Sequence, residues 1–242
     1  MDGIIKTGIS GLDAMLKGGI PEGNQIVLAG GPGAGKTLLS FEFLYRNAKS
    51  GIPSILFALD EQPDRIIKNA KLAFSNFKDI DELIGKGLLT VSKENISMNL
   101  EDGGSAYEFG KIVTDIELLI NETAAKCIAI DAISMLSLLV KDAISYRRSM
   151  LALIYNLRRL GVVSLLTSEL SNPERSKLKF SPEFFLSDGI MVMYQTGEEY
   201  KRMLALEIIK MRGSAHSFVT TPYEITPDGF LVTAAEDVAK LD

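Results

Sequence analysis

The sequence predicts an α/β protein with a mainly parallel sheet, flanked by helices and extended toward the C-terminus by antiparallel strands. Three observations carry that prediction. Short continuous apolar runs recur with helical segments between them, the pattern of strands buried on both faces. A glycine-rich stretch, "GGPGAGKT" at Gly30–Thr37, joins the first of these runs to the first long helix. Near residue 189 the alternation ends, and strands then follow one another across charged or Asp-Gly turns.

In chain order, Gln25 to Ala29 reads as a buried strand, and a helix runs from about Lys36 to Lys49. "GIPSILFALD" is a turn followed by a strand over Ser54–Leu59, and a helix starts near Pro63, since proline suits a first helical turn. "LLTVS" (Leu88–Ser92) is a weaker strand, Gly103-Gly104 mark a loop, and Tyr107 to Ala124 carries apolar residues at helical spacing. Then come "KCIAID" as a strand, a helix from about Ser145 to Leu160, and "VVSLLT" as a strand. "GIMVMYQTGEEYKRMLALEIIKMRG" is two strands around a charged turn, and "PYEITPDGFLV" is a hairpin bending at Asp228-Gly229. No linker, internal repeat or low-complexity tract interrupts the 242 residues. One domain over 1–242 is therefore expected, with a leading segment 1–24, a core 25–195 and a β extension 196–242.

Composition narrows the chemistry. Apolar residues are 46%, charged residues 24% and the net charge is −5, so the total favours no polyanionic partner. The longest apolar run, Ala132–Val140, is too short to cross a bilayer, and Met1–Gly8 lacks a signal-peptide core. A cytoplasmic location without membrane attachment is expected. The single cysteine, Cys127, excludes an intrachain disulfide, and His216 is the single histidine. A zinc site or a hydrolase triad would have to lean on that one pair, so acid–base work falls to carboxylates.

Gly30, Gly31, Pro32, Gly33, Ala34, Gly35, Lys36 and Thr37 fit G-x-x-x-x-G-K-[ST] between a strand and a helix, with Leu38 in the first helical turn. This is the setting in which the Walker A motif works. Glycines let backbone N–H groups turn inward, and those donors join the positive helix end in cradling phosphate oxygens. Lys36 can reach the outer phosphates, and the Thr37 hydroxyl can hold Mg2+. Asp131, ending "CIAID", is placed to hold the metal through water, although an Asp there also serves as a helix N-cap. Asp60 and Glu61 end the strand after the first helix, beside the loop in a parallel sheet. As helix-dipole complements they need no further role. Their position favours orientation of an attacking water, with Glu61 preferred and Asp60 as helper or substitute.

Taken together these segments resemble the RecA-superfamily ATPases of the KaiC-like branch, and more distantly RadA-type recombinases. "TGISGLDAMLKGGIPEG" is similar to the family's N-terminal signature, in which a short helix precedes the first core strand. "GGPGAGKTLLSFEFLY", "DEQPDRIIKNA" and "EIIKMRGSAH" resemble further signatures, in the right order, over nearly the whole chain. The resemblance implies a RecA-like P-loop core and a ring, usually hexameric, with ATP or ADP between neighbouring subunits. It implies that Lys210 and Arg212 reach into the next subunit's site, with His216 at the same interface and Asp228 near the base or ribose. An arginine delivered in trans stabilises charge on the transferred phosphoryl group. Read without the family, "KMRG" is equally a solvated strand end.

The positions that accept phosphate in the autophosphorylating copy of KaiC correspond to Phe184 and Phe185, which have no hydroxyl. The resemblance thus implies a Mg2+-dependent ATPase that regulates a protein partner, not an autokinase. Two alternatives stay open: a nucleotide-gated scaffold without hydrolysis, and a recombinase-like binder of single-stranded DNA. For the latter, "NPERSKLKF" offers Arg175, Lys177, Lys179 and Phe180, though a solvated loop is the favoured reading of that stretch.

Overall fold

The computed structural model describes residues 3–93, 106–172, 175–196 and 203–233. The loop expected at Gly103-Gly104 and the charged turn over 197–202 lie outside them.

The chain opens with a small antiparallel ribbon, β1 (Ile4–Ile5) and β2 (Ile20–Pro21), around a one-turn helix α1 (Leu12–Met15). Then follow β3 (Gln25–Gly30), α2 (Lys36–Lys49), β4 (Ser54–Ala58), α3 (Pro63–Ala73), α4 (Ile80–Gly85), β5 (Leu89–Lys93) and α5 (Ala106–Thr123). Next are β6 (Cys127–Asp131), α6 (Ala143–Leu160), β7 (Val163–Glu169), α7 (Pro182–Leu186) and β8 (Gly189–Thr196). The chain's described part closes with β9 (Met203–Met211), β10 (Thr221–Thr226) and β11 (Gly229–Val232).

Among the described residues nine strands form one sheet in the order β11-β10-β9-β8-β3-β7-β6-β4-β5. The six from β8 to β5 are parallel, and β9, β10 and β11 extend the β8 edge in antiparallel fashion. The expected fold class is thus the observed one. The sequence-based placement of Asp60 and Glu61 needs a correction, because β4 does not pair with the glycine-loop strand. The chain crosses over after α2 and leaves two positions that β6 and β7 fill later. Since the strands are parallel, all their C-terminal ends still meet at one edge, where ligands bind in open α/β sheets.

Both faces are covered, as the apolar runs require. Along β3, Ile26 and Leu28 pack with Phe41, Phe43 and Leu44 of α2 and with Ile66 of α3. Val27 and Ala29 face the opposite layer, where Ile112 and Ile116 of α5 meet Met150, Leu153 and Leu157 of α6. A strand buried on both sides has no polar face to alternate, which is why β3 is buried throughout.

Several boundaries shift for local reasons. Helix α6 begins two residues earlier than expected because the Asp142 side chain accepts from Ile144 N and Ser145 N, both at 2.9 Å. The apolar run near Ala132 becomes a 3-10 helix, Ile133–Leu139, that buries Ile133, Leu136 and Leu139. The last hairpin turns at Pro227-Asp228, with Thr226 paired to Gly229, so its bend falls one residue before the expected Asp-Gly. A side chain at Gly229 would run into Glu42, whose buried carboxylate accepts from Phe230 N at 2.6 Å and from Arg46 Nη2 at 2.9 Å. That buried acid pins the C-terminal hairpin to α2. No described helix is long and apolar enough to cross a membrane.

Candidate nucleotide-binding site

Between β3 and α2 the loop turns at Gly33 and Gly35, both in the left-handed region at φ +77 and +89. Gly35 is also the N-cap of α2, and no side chain caps that helix. The first-turn amides of α2 therefore point into the loop's concavity, the arrangement that receives an anion. Neighbouring strands brace the loop from behind. Tyr223 Oη donates to Ala34 O at 2.6 Å, and Gln195 Nε2 donates to Pro32 O at 2.7 Å.

Lys36 lies across the loop, donating from Nζ to Gly30 O at 2.9 Å and Gly31 O at 3.1 Å. Burial lowers its affinity for the proton, and Glu169 and Asp131 partly offset this. Thr37 Oγ1 donates to Asp131 Oδ2 at 2.6 Å, and Thr167 Oγ1 donates to the other carboxylate oxygen. The peptide after Asp131 is cis.

These groups line a cavity of about 700 Å³. Pro32, Gly33, Gly35, Lys36 and Thr37 of the loop line it together with the carboxylates Asp60, Glu61, Asp131 and Glu169. Leu38, Phe41, Ile66 and Ala70 add apolar lining. That mixture of loop donors and apolar side chains suits a nucleotide. For a cation the donor set is lean. Among the described residues no three His, Cys, Asp or Glu side chains gather into a metal-ligating group. Thr37 and Asp131 offer a hydroxyl and a carboxylate, which fits Mg2+ completing its shell with phosphate oxygens and water.

The remaining sequence candidates do not enter this cavity within the chain. Lys210 Nζ donates to Ser187 O at 2.5 Å and Phe184 O at 3.4 Å; burial, then repulsion from Arg212, lowers its pKa. Arg212 Nη1 lies 3.6 Å from Asp188 Oδ1. His216 has Nδ1 at 3.0 Å from Ser217 O and its ring against Phe218. Asp228 lines a separate cavity of about 540 Å³ with Arg46, Lys49 and Asn76, and accepts from Asn76 Nδ2 at 2.6 Å. Of the candidate loop residues, Arg175 is held by Glu207 through two bonds of 2.6 and 2.9 Å, and Phe180 stacks edge-on against Phe184.

Sequence reasoning missed Glu169, Thr167, Arg65 and Asn69. Glu169 ends a strand as Asp131 does, which was a usable signal. Arg65 and Asn69 follow Glu61 by four and eight residues on α3, so helical spacing from the acid would have found them.

A parallel sheet, a glycine loop opening α2 and carboxylates at the ends of three adjacent strands define a mononucleotide-binding α/β protein. Comparison with known proteins gives the family. The family described as "ATPase: KaiC" matches residues 5–237. The circadian clock oscillator protein KaiC of Rippkaea orientalis is 30% identical over 226 residues, covering 93% of this chain and 43% of the relative. The chain thus spans less than half the length of that clock protein. A UPF0273 protein of Methanopyrus kandleri is 35% identical, covering 94% of this chain and 91% of the relative. The crystal structure of a KaiC-like protein from Pyrococcus horikoshii superposes with a TM-score of 0.81 at 26% identity, covering 96% of this chain and all of that one. The chain belongs to the KaiC family of RecA-superfamily ATPases.

Proposed function

We propose that this chain is a Mg2+-dependent ATP phosphohydrolase working as a ring, with ATP between neighbouring subunits and a protein partner that responds to the nucleotide state. The observation that carries this reading is the Thr37–Asp131 bond inside the cavity that also holds Lys36 and Glu61. A bound Mg2+ would neutralise charge on the phosphate oxygens, and Thr37 and Asp131 are the residues that would hold it.

In this reading the loop amides and Lys36 bind the β- and γ-phosphates. Glu61 takes a proton from water as its oxygen attacks the γ-phosphorus, and the bond to the ADP oxygen breaks. Lys210 and Arg212 act in the next subunit's site. Their side chains lie outside the chain's own cavity, and that separation supports delivery in trans. His216 sits on the same segment. Asp228, at the turn of the C-terminal hairpin, is assigned to the base or ribose. Phe184 and Phe185 lack hydroxyls, which supports hydrolysis over self-phosphorylation. The Arg175–Glu207 pairing withdraws one of the three basic groups a nucleic-acid role would use.

The experiment is phosphate release from purified wild type and Glu61→Gln, with particle mass measured with and without Mg-ATP. Expected are nucleotide-dependent assembly and a fall in turnover of about a hundredfold in the variant, with ATP still bound. Wild-type turnover in Glu61→Gln would remove Glu61 from the reaction. A monomeric mass at all nucleotide concentrations would remove the ring.

A further inference from the structure

We propose that Arg65 and Asn69 are positioning residues for Glu61, holding one carboxylate oxygen so that the other is presented to the cavity. The proposal rests on the reading of Glu61 as the water-orienting base.

Glu61 lies on the short connection between β4 and α3, where no regular element fixes its side chain. A glutamate so placed has three rotatable bonds, and fixing them against a reacting water costs side-chain entropy at each turnover unless something holds them in advance. Helix α3 supplies the hold. Arg65 Nε lies 3.0 Å from Glu61 Oε1, and Asn69 Nδ2 donates to the same oxygen at 3.2 Å. The two side chains are four residues apart and so share one face of α3, and both line the glycine-loop cavity. Among the described residues the hydrogen bond to this carboxylate goes to Oε1, not Oε2.

This asymmetry is what separates an oriented base from an ordinary surface ion pair. An ion-pair partner and a hydrogen-bond donor converge on one oxygen, and the second oxygen keeps lone pairs for a proton. It follows the general pattern in which a base is itself oriented by a third group. Stability gives little reason for the arrangement, because Arg65 is 75% exposed and an exposed pair of this spacing contributes little. The neighbouring acid is treated differently. Asp60 is bonded through its carbonyl, by Lys93 Nζ at 3.2 Å, and among the described residues its carboxylate receives no comparable grip. The difference between the two adjacent acids runs the same way as the sequence-based preference for Glu61 over Asp60.

The test is steady-state kinetics on the full chain with Mg-ATP, for Arg65→Ala, Asn69→Ala, Arg65→Lys, Glu61→Gln and the double variant Arg65→Ala/Glu61→Gln. Both alanine variants are expected to lower kcat about tenfold with KM for ATP within about twofold, because orientation is lost and binding is not. Arg65→Lys should recover most of kcat, since a charged donor remains. In the Glu61→Gln background, Arg65→Ala should change turnover by less than about twofold, because the group it acts through is gone. An unchanged kcat in both alanine variants overturns the proposal. So does a raised KM at constant kcat, which would make Arg65 a ligand of the nucleotide, or an Arg65→Ala effect that persists undiminished in the double variant. Wild-type turnover in Glu61→Gln alone instead defeats the underlying assignment of the base. Both α3 positions are exposed, so thermal melts of the single variants should match wild type and leave the kinetics interpretable.

Discussion

Thr37 Oγ1 and Asp131 Oδ2 are joined at 2.6 Å across 94 residues of chain. The hydroxyl opens α2 and the carboxylate closes β6, and Thr167 of the intervening β7 takes the second carboxylate oxygen. Asp131 is buried, and each of its oxygens already has a hydroxyl donor. Asp131→Asn should therefore keep the fold to within about 1 kcal/mol, since a hydroxyl can accept from the new amide as readily as it donated before. Asp131→Ala, which strands two buried hydroxyls, should cost about 2 kcal/mol or more. The asparagine should also remove the charge that favours a cation. Calorimetry is expected to show ATP affinity that no longer improves when Mg2+ is added, and turnover should fall about a hundredfold. An undiminished magnesium effect would free Asp131 from the metal role.

Gly35 adopts φ +89, and a β-carbon there would come within 3.0 Å of Ile225 Cδ1 and 3.1 Å of Phe230 Cζ. Alanine at this position meets both backbone strain and the C-terminal hairpin. At Gly33, also left-handed, the nearest atom is Gln195 Nε2 at 3.4 Å, so alanine meets the strain alone. Gly35→Ala should cost about 2–3 kcal/mol in urea unfolding, and Gly33→Ala about 1–2 kcal/mol. Equal losses would mean that the hairpin yields at no cost, and that its packing does not shape the loop.

How much of this was legible in the sequence depends on the range of the interaction. Helix α2, strands β3 and β6 and the α3 start at Pro63 follow from local periodicity and punctuation, and their boundaries agree to within a residue. The glycine loop could be read because its chemistry is contiguous. The order of strands could not, since nothing in "SILFA" says that β6 and β7 will intervene between it and β3. Helix α7 escaped notice because five residues are too few for a periodic signal. Thr167 and Glu42 act through partners 36 and 188 residues away, and such pairings are set by sheet order and hairpin docking. Glu169 was readable in principle, as a strand-ending acid like Asp131.

Glu207 offers a pH test of the β extension. It sits on β9 with its carboxylate gripped by Arg175 at 2.6 and 2.9 Å and by the Tyr194 hydroxyl at 2.8 Å. Burial alone would raise its pKa, but the bonds from Arg175 and Tyr194 outweigh burial and hold it below its ordinary value of 4.5. The folded chain therefore binds fewer protons at this site than the unfolded chain as pH drops below that value. The stabilisation is complete above the unfolded pKa and is lost as pH falls through the lower, folded one. Glu207→Gln should lower the urea midpoint by about 0.5 M at neutral pH. Its deficit relative to wild type should shrink steadily as pH falls from about 4.5 toward 3. Tyr194 adds to the neutral-pH stabilisation because its proton must be present for it to donate; burial followed by the Glu207 contact pushes its pKa upward, so its own share is lost on the alkaline side rather than the acid side. Tyr194→Phe should reproduce part of the neutral-pH loss while retaining an acid-dependent limb from the Arg175 bonds. A deficit for Glu207→Gln that stays constant from pH 7 to 3 would show that the carboxylate's charge contributes nothing and that its packing alone is at stake.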